Sequence, residues 1–302
     1  MVEKSFPPGD GTSRSETSTE PMTADRTPLF CDLALAERIE RAEALLMAEC
    51  AEAAQRRGTK GFVRVVAGGV ASFAEEDSPY NKVAGLGFDG LPSAADLDAV
   101  EEAFAAHGAT PQVELAHLAD PEIGALLTAR GYRLESFENV LGLALDGEYE
   151  RSSPAGIVIR PSGDDEFEHW LDVMAEAVAE PDTQGVPWHE EFPREIYQRA
   201  LRDSASAGVR RYAAVRADVL AGGAGLRVSE GIAQFAGAAT APVHRRRGIQ
   251  SALLSARLAD AKAAGCDVAV ITTQPGSKSQ QNAQRQGFDL LYTRAVLVKH
   301  NP

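Results

Sequence analysis

Pro242-Val243-His244-Arg245-Arg246-Arg247-Gly248-Ile249-Gln250-Ser251-Ala252-Leu253-Leu254 follows an apolar, small-residue run, Ile232 to Thr240, and leads into a segment with Leu254, Leu258 and Ala261 on one helical face. The stretch reads as a strand-to-helix turn. The first N–H groups of a helix have no partner within it, and the helix dipole makes that end positive. Gly248 would let an anion approach the backbone, and three consecutive arginines add charge, so the turn suits a pyrophosphate. A solvated basic turn is the competing reading of an Arg triplet, and the position between strand and helix argues against it.

Outward from this turn, the helix stops at Gly265, a strand follows over Val268 to Thr272, a helix runs from near Ser277 to Gly287, and Phe288 to Lys299 is extended. Upstream, Arg151 to Ala155 reads as a linker, Gly156 to Arg160 as a strand, and Phe167, Trp170, Met174, Ala177 and Val178 share one helix face. Glu180 to Pro193, rich in Pro, Gly and charge, is expected to be irregular. A helix over Arg194 to Ala205 and strands at Val209 to Val215, Leu220 to Val228 and Ile232 to Thr240 complete the half.

The first half shows a similar order. Leu35, Ile39, Ala42, Leu45 and Leu46 mark a helix ending at Gly58, and Phe62 to Ala67 and Lys82 to Phe88 read as strands separated by Gly-Gly and Ser-Pro turns. Ser93 caps a helix with Leu97, Val100 and Phe104 that ends at Gly108; Gln112 to Leu115 is a strand; Asp120 caps a helix ending at Gly131; Tyr132 to Leu145 is extended. The interval from Gly108 to Gly131 nearly equals that from Gly265 to Gly287, and Arg130-Gly131-Tyr132 answers Gln286-Gly287-Phe288. Two tandem copies of one α/β unit are the expectation, with chance similarity as the alternative.

The predicted organisation is therefore a disordered tail at 1–27, a first domain at 28–150 and a second at 151–302. With 302 residues, 44% hydrophobic and 25% charged, each half can bury a core. A net charge of -14 argues against a nucleic-acid partner. Cys31, Cys50 and Cys266 have neither disulfide-framework nor zinc-knuckle spacing, and no metal is expected. No apolar run reaches membrane-span length and no secretory leader is evident, so a cytoplasmic location is expected.

Residues 156 to 300 resemble the Gcn5-related N-acetyltransferase (GNAT) superfamily, whose coenzyme A loop reads Gln/Arg-x-x-Gly-x-Gly/Ala; here the loop is Arg245-Arg246-Arg247-Gly248-Ile249-Gln250, and Gln250 departs from the usual small residue. The resemblance implies α/β tandem domains, each a mixed, mostly antiparallel sheet flanked by helices. It also implies an enzyme moving an acetyl group from acetyl-CoA to an amine, small-molecule or protein-borne, by direct attack. A non-catalytic acyl-CoA-binding scaffold is the alternative. Implied cofactor contacts are Ala239, Thr240, Arg245, Arg246, Arg247, Gly248, Ile249, Gln250, Ser251 and Asn282, with backbone donors near Ala239 and Thr240 for the oxyanion.

Many relatives place a proton-donating Tyr four residues before the Gly that ends the last helix, where this chain has Ala283. Tyr292 and Ser279 are the candidate substitutes. Glu180, Asp182, His189, Glu190 and Glu191 would border the acceptor, either drawing in a cationic amine or forming a solvated acidic loop. In the first half the corresponding loop, Gly87 to Ser93, carries Asp89 and no arginine, so that half is expected to bind no cofactor and to serve as a degenerate, structural copy.

Overall fold

The computed structural model describes residues 26–180, 186 and 191–300. Asp32 accepts from Leu35 N–H at 2.8 Å and so caps α1 (Leu33–Arg56), which buries Ala36, Ile39, Ala42 and Leu46. Next come β1 (Phe62–Val66), β2 (Gly69–Phe73), β3 (Lys82–Ala84), α2 (Ala94–Ala105), β4 (Gln112–Ala116), α3 (Glu122–Ala129) and β5 (Tyr132–Ala144). The sequence reading passed over β2. That strand is buried at every position, so it lacks the alternation by which a half-exposed strand is recognised.

The chain continues through β6 (Ile157–Pro161), α4 (Phe167–Ala179), α5 (Arg194–Ser206), β7 (Arg210–Arg216), β8 (Val219–Ser229) and β9 (Ile232–Thr240). After it come α6 (Ile249–Ala263), β10 (Val268–Thr273), α7 (Lys278–Arg285) and β11 (Asp289–Lys299).

The described strands form one 11-stranded sheet, ordered β1-β2-β3-β4-β11-β5-β10-β9-β8-β7-β6. Only β3 with β4 and β9 with β10 run parallel. The closing strands of the two halves are exchanged: β5 pairs with β10 through Leu141↔Ile271, and β11 pairs with β4 through Val296↔Glu114. The halves thus share one sheet. Arg26, within the stretch expected to be disordered, pairs with Asp289 at 2.7 Å.

Strand alternation sorts the helices. Val140, Val268 and Val270 pack with α1 on one face, whereas Leu141, Ala269 and Ile271 pack with α6 and α7 on the other. Two apolar layers result, one on each side of the sheet.

Candidate functional site

Parallel pairing between β9 and β10 ends at Gln234↔Val270, although β9 continues to Thr240 and β10 to Thr273. The strands separate there, and the β10-side backbone groups of β9 beyond Gln234 lose their strand partner. On its other edge β9 carries a bulge: Gly225↔Ala236 is followed by Gly223↔Ala239, so β9 has an extra residue. Gly237 adopts φ +39 within it, a backbone region that favours glycine.

Beyond Thr240 the chain makes a short 3-10 turn, Pro242–His244, and reaches α6. Arg246 and Gly248 both take positive φ, +60 and +84, which turns the backbone sharply into the helix. A side chain at Gly248 would be strained in this conformation and would meet Pro154 Cγ at 2.7 Å. No side chain caps α6, so its first-turn amides face outward. The corresponding helix of the first half differs. Ser93 and Asp96 form a reciprocal capping box at α2, which satisfies its amides and sets a carboxylate at its N-terminus.

The gap between β9 and β10 and the start of α6 open into one cleft of about 460 Å³. Ala238, Ala239, Thr240, Gly248, Ile249, Gln250 and Ser251 line it along the strand and loop, and Lys278, Ser279, Asn282 and Arg285 line it from α7. The spacing 278, 282, 285 puts these residues on one face of α7. Among the described residues, the cleft-lining Arg246, Lys278 and Arg285 make no ion pair, while Arg26, Arg38, Arg57, Arg130 and Arg202 all do. In a chain of net charge -14, cations without a carboxylate partner gathered at one cleft make it locally positive.

Residues 170–288 match the acetyltransferase (GNAT) family. No curated protein matches the sequence. Solved structures share the fold over most of the chain. A GCN5-related N-acetyltransferase from Kribbella flavida is 19% identical, with TM-score 0.62 over 89% of this chain and 96% of its own. A tandem GNAT protein from the clavulanic acid biosynthesis pathway is 14% identical, with TM-score 0.56 over 91% and 98%. A GCN5-related N-acetyltransferase from Sphaerobacter thermophilus is 17% identical, with TM-score 0.53 over 89% and 94%. At these identities the likeness is one of fold: a mixed sheet flanked by helices.

Within this fold the residues singled out from sequence separate into groups. Ala239, Thr240, Arg245, Arg246, Gly248, Ile249, Gln250, Ser251, Ser279 and Asn282 all line the cleft, as does His244. Arg247 is exposed on the loop and is not part of the lining. Arg245 points its guanidinium back into the protein: Nε donates to Thr240 O at 3.2 Å, and Nη2 donates to Ala177 O at 2.9 Å and to Glu180 O. It clamps the C-terminal end of α4 to the end of β9 through Nε and Nη2.

Tyr292 also requires correction. It is 2% exposed on the α1 side of the sheet, its hydroxyl donates to Glu40 Oε1 at 2.7 Å, and it does not line the cleft. The same oxygen accepts from Arg294 Nε at 2.7 Å, so a buried carboxylate and its arginine hold the ring there. Burial and the Glu40 charge raise the phenol pKa well above its ordinary value, opposite to the tuning a general acid needs near neutral pH. Ala283, the position of the missing Tyr, is buried against the core beside Phe288 and does not line the cleft. Of the acidic loop, Glu180 and Glu191 are described, while Asp182, His189 and Glu190 lie outside the described residues.

The sequence reading missed Arg257. This α6 residue lines the cleft yet is 1% exposed. Its signal was present, since Ile249, Leu253 and Arg257 recur every four positions along the buried stripe of the helix.

Proposed function

We propose that the chain is an N-acyltransferase that uses a coenzyme A thioester as donor and an amine as acceptor, within a ternary complex. The carrying observation is the joining of an uncapped, cation-flanked helix N-terminus to a strand that leaves its parallel neighbour, in one cleft. The first-turn amides of α6, with Arg246, Lys278 and Arg285, fit a pyrophosphate. The freed edge of β9 fits the amide-bearing pantetheine arm, which can pair with it as a strand would.

A coenzyme A thioester supplies an acyl carbon activated toward attack by an amine; the C–N bond forms as the C–S bond breaks, and the thiolate takes a proton. Ala239 sets its carbonyl toward Gly222 and Ala241 donates its N–H to Ala221 O, so strand alternation leaves the Thr240 amide between them on the cleft side to donate to the developing oxyanion. Ser279 and Asn282 stand on the α7 side, where Ser279 or a water held by Asn282 serves the thiolate. The first half carries its own carboxylate at the matching helix start and is proposed as a degenerate copy without a cofactor.

Turning Tyr292 toward Glu40 and burying Ala283 leave no phenol among the cleft-lining residues, which keeps a non-catalytic acyl-CoA-binding scaffold as the second reading. Release of free thiol from acetyl-CoA, followed across a panel of primary amines and amine-bearing peptides, separates the two. Amine-dependent release establishes the transferase. Thioester binding without release by any amine establishes the scaffold.

A further inference from the structure

β10 stops short of both its neighbours and leaves an open lane in the sheet. Its pairing with β5 ends at Thr273↔Asn139, while β5 extends beyond that pair from Glu138 back to Tyr132. On the other side β9 runs past its last pair, Gln234↔Val270, to Thr240. β10 is parallel to β9 and antiparallel to β5, so both overhangs lie at the same end of it. Pro275 has no N–H to continue the pairing, and Gly276, at φ +74, turns the chain toward α7. At about 3.3 Å per residue, Phe235 to Thr240 gives the lane a length of roughly 20 Å.

The β9 side of the lane suits the pantetheine arm, and the β5 side offers a second edge. Leu145 N–H donates to Asp267 O at 2.8 Å, so the alternate residues Leu143, Leu141, Asn139 and Phe137 turn their N–H and C=O groups to that side. Asn139 meets Thr273 there, whereas Phe137 has no backbone partner among the described residues. Phe137 and Leu134 oppose Ala295 and Leu297, two positions apart on β11, so they share one orientation across the bulge at Glu135. Their side chains are 48% and 52% exposed, on the face where Asn139 Nδ2 approaches Gln280 of α7 at 3.5 Å. Open edges are commonly blunted by charge or covered; this one presents Phe and Leu.

We propose that the acceptor is a polypeptide, which adds a short strand to the Phe137 and Leu134 edge of β5 and so brings its amine to the end of β10, beside the thioester. The inference rests on the transferase reading and adds the class of acceptor. A small amine has no amide and carbonyl pair to match the edge, whereas a peptide has both at strand spacing and side chains to cover the two apolar ones. A second copy of the chain fits less well, because its β5 comes with β11 beside it, while the lane starts at the width of β10 alone. The chemistry is that of any amine acceptor: nitrogen attacks the thioester carbon, the C–S bond breaks, and the proton lost by nitrogen ends on the thiol.

Thiol release from acetyl-coenzyme A by the full chain tests this with three kinds of acceptor: degenerate hexapeptides bearing one free amine, the same hexapeptides with N-methylated backbone amides, and butylamine with spermidine. The plain hexapeptides are expected to show an apparent KM at least about tenfold below that of the free amines, and N-methylation is expected to erase the difference. Phe137→Pro removes the edge N–H without touching a bond to β11, and should bring the hexapeptide KM to that of the free amines. If this variant does not fold, the N-methylated hexapeptides on the native chain still decide. Free amines used as well as hexapeptides, or hexapeptides indifferent to N-methylation, would overturn the proposal and leave the transferase reading intact. A native dimer that Phe137→Pro converts to monomer in sedimentation would give the edge to a second copy and overturn it as well. No thiol release with any acceptor would overturn both.

Discussion

Gln250 Nε2 donates to Thr240 Oγ1 at 2.8 Å, tying the first turn of α6 to the last residue of β9. The bond explains how a long side chain stands where the GNAT loop pattern has a small one: it lies against the strand end. Gln250→Ala should therefore lower stability by about 0.5–1.5 kcal/mol in urea unfolding and change coenzyme A affinity little. A tenfold loss of affinity at unchanged stability would instead place the amide on the ligand.

The arginines of the loop should separate by assay. Arg246→Ala and Arg285→Ala remove unpaired, exposed charges, so each should weaken coenzyme A binding by about 1–3 kcal/mol at low salt with little effect on the melting temperature. Arg245→Ala orphans the carbonyls of Ala177 and Thr240 and should lower the melting temperature whether or not ligand is present. Calorimetry beside thermal melts checks both.

Tyr292→Phe removes one of two donors to Glu40 Oε1, the other being Arg294 Nε. The expected result is a stability loss of about 1–2 kcal/mol with turnover unchanged across neutral and alkaline pH. A large drop in turnover at native stability would return this phenol to the reaction.

The strand-to-helix turn before α6 was legible because its signal is local: the Arg triplet, Gly248 and the apolar helix stripe lie within a few residues of one another. The exchange of β5 and β11 was not. Leu141 and Leu143 would read the same whether the next strand were β10 or another apolar strand, since alternation fixes the face of a side chain and says nothing of its neighbour. Tyr292 illustrates the consequence. Alternation left its side undecided, and the partner that fixes it, Glu40, lies in α1, far away in sequence. The bulge at Gly237 was foreshadowed only by the small residues Ala236 to Ala239, which suit close backbone approach without specifying register.

The exchanged strands meet at a buried charge cluster that should make stability depend on pH. Arg294 Nη1 lies 3.6 Å from Glu138 Oε2 and 3.7 Å from Glu114 Oε2. Burial first, and repulsion by Glu114 second, push the Glu138 carboxyl up to about 8 from its ordinary value of 4.5. Between those two values the folded chain holds a proton that the unfolded chain releases, so this group's contribution is fully present below about 4.5 and lost as pH rises through about 8. Glu138→Gln, which mimics the protonated form, should match the native chain near pH 5 and exceed its stability by about 1–3 kcal/mol above pH 8. Equal losses at both pH values would show the carboxylate to be ionised in the fold.

The gap between β9 and β10, with the uncapped start of α6, is proposed to hold coenzyme A. Calorimetric titration of the full chain with coenzyme A, at low and at raised salt, tests it most directly. The expected result is one site per chain, an affinity that falls as salt screens Arg246, Lys278 and Arg285, and loss of binding when Arg246 and Arg285 are both replaced by Glu. Absence of binding at low salt, or two equivalent sites per chain that survive the double replacement, would contradict it.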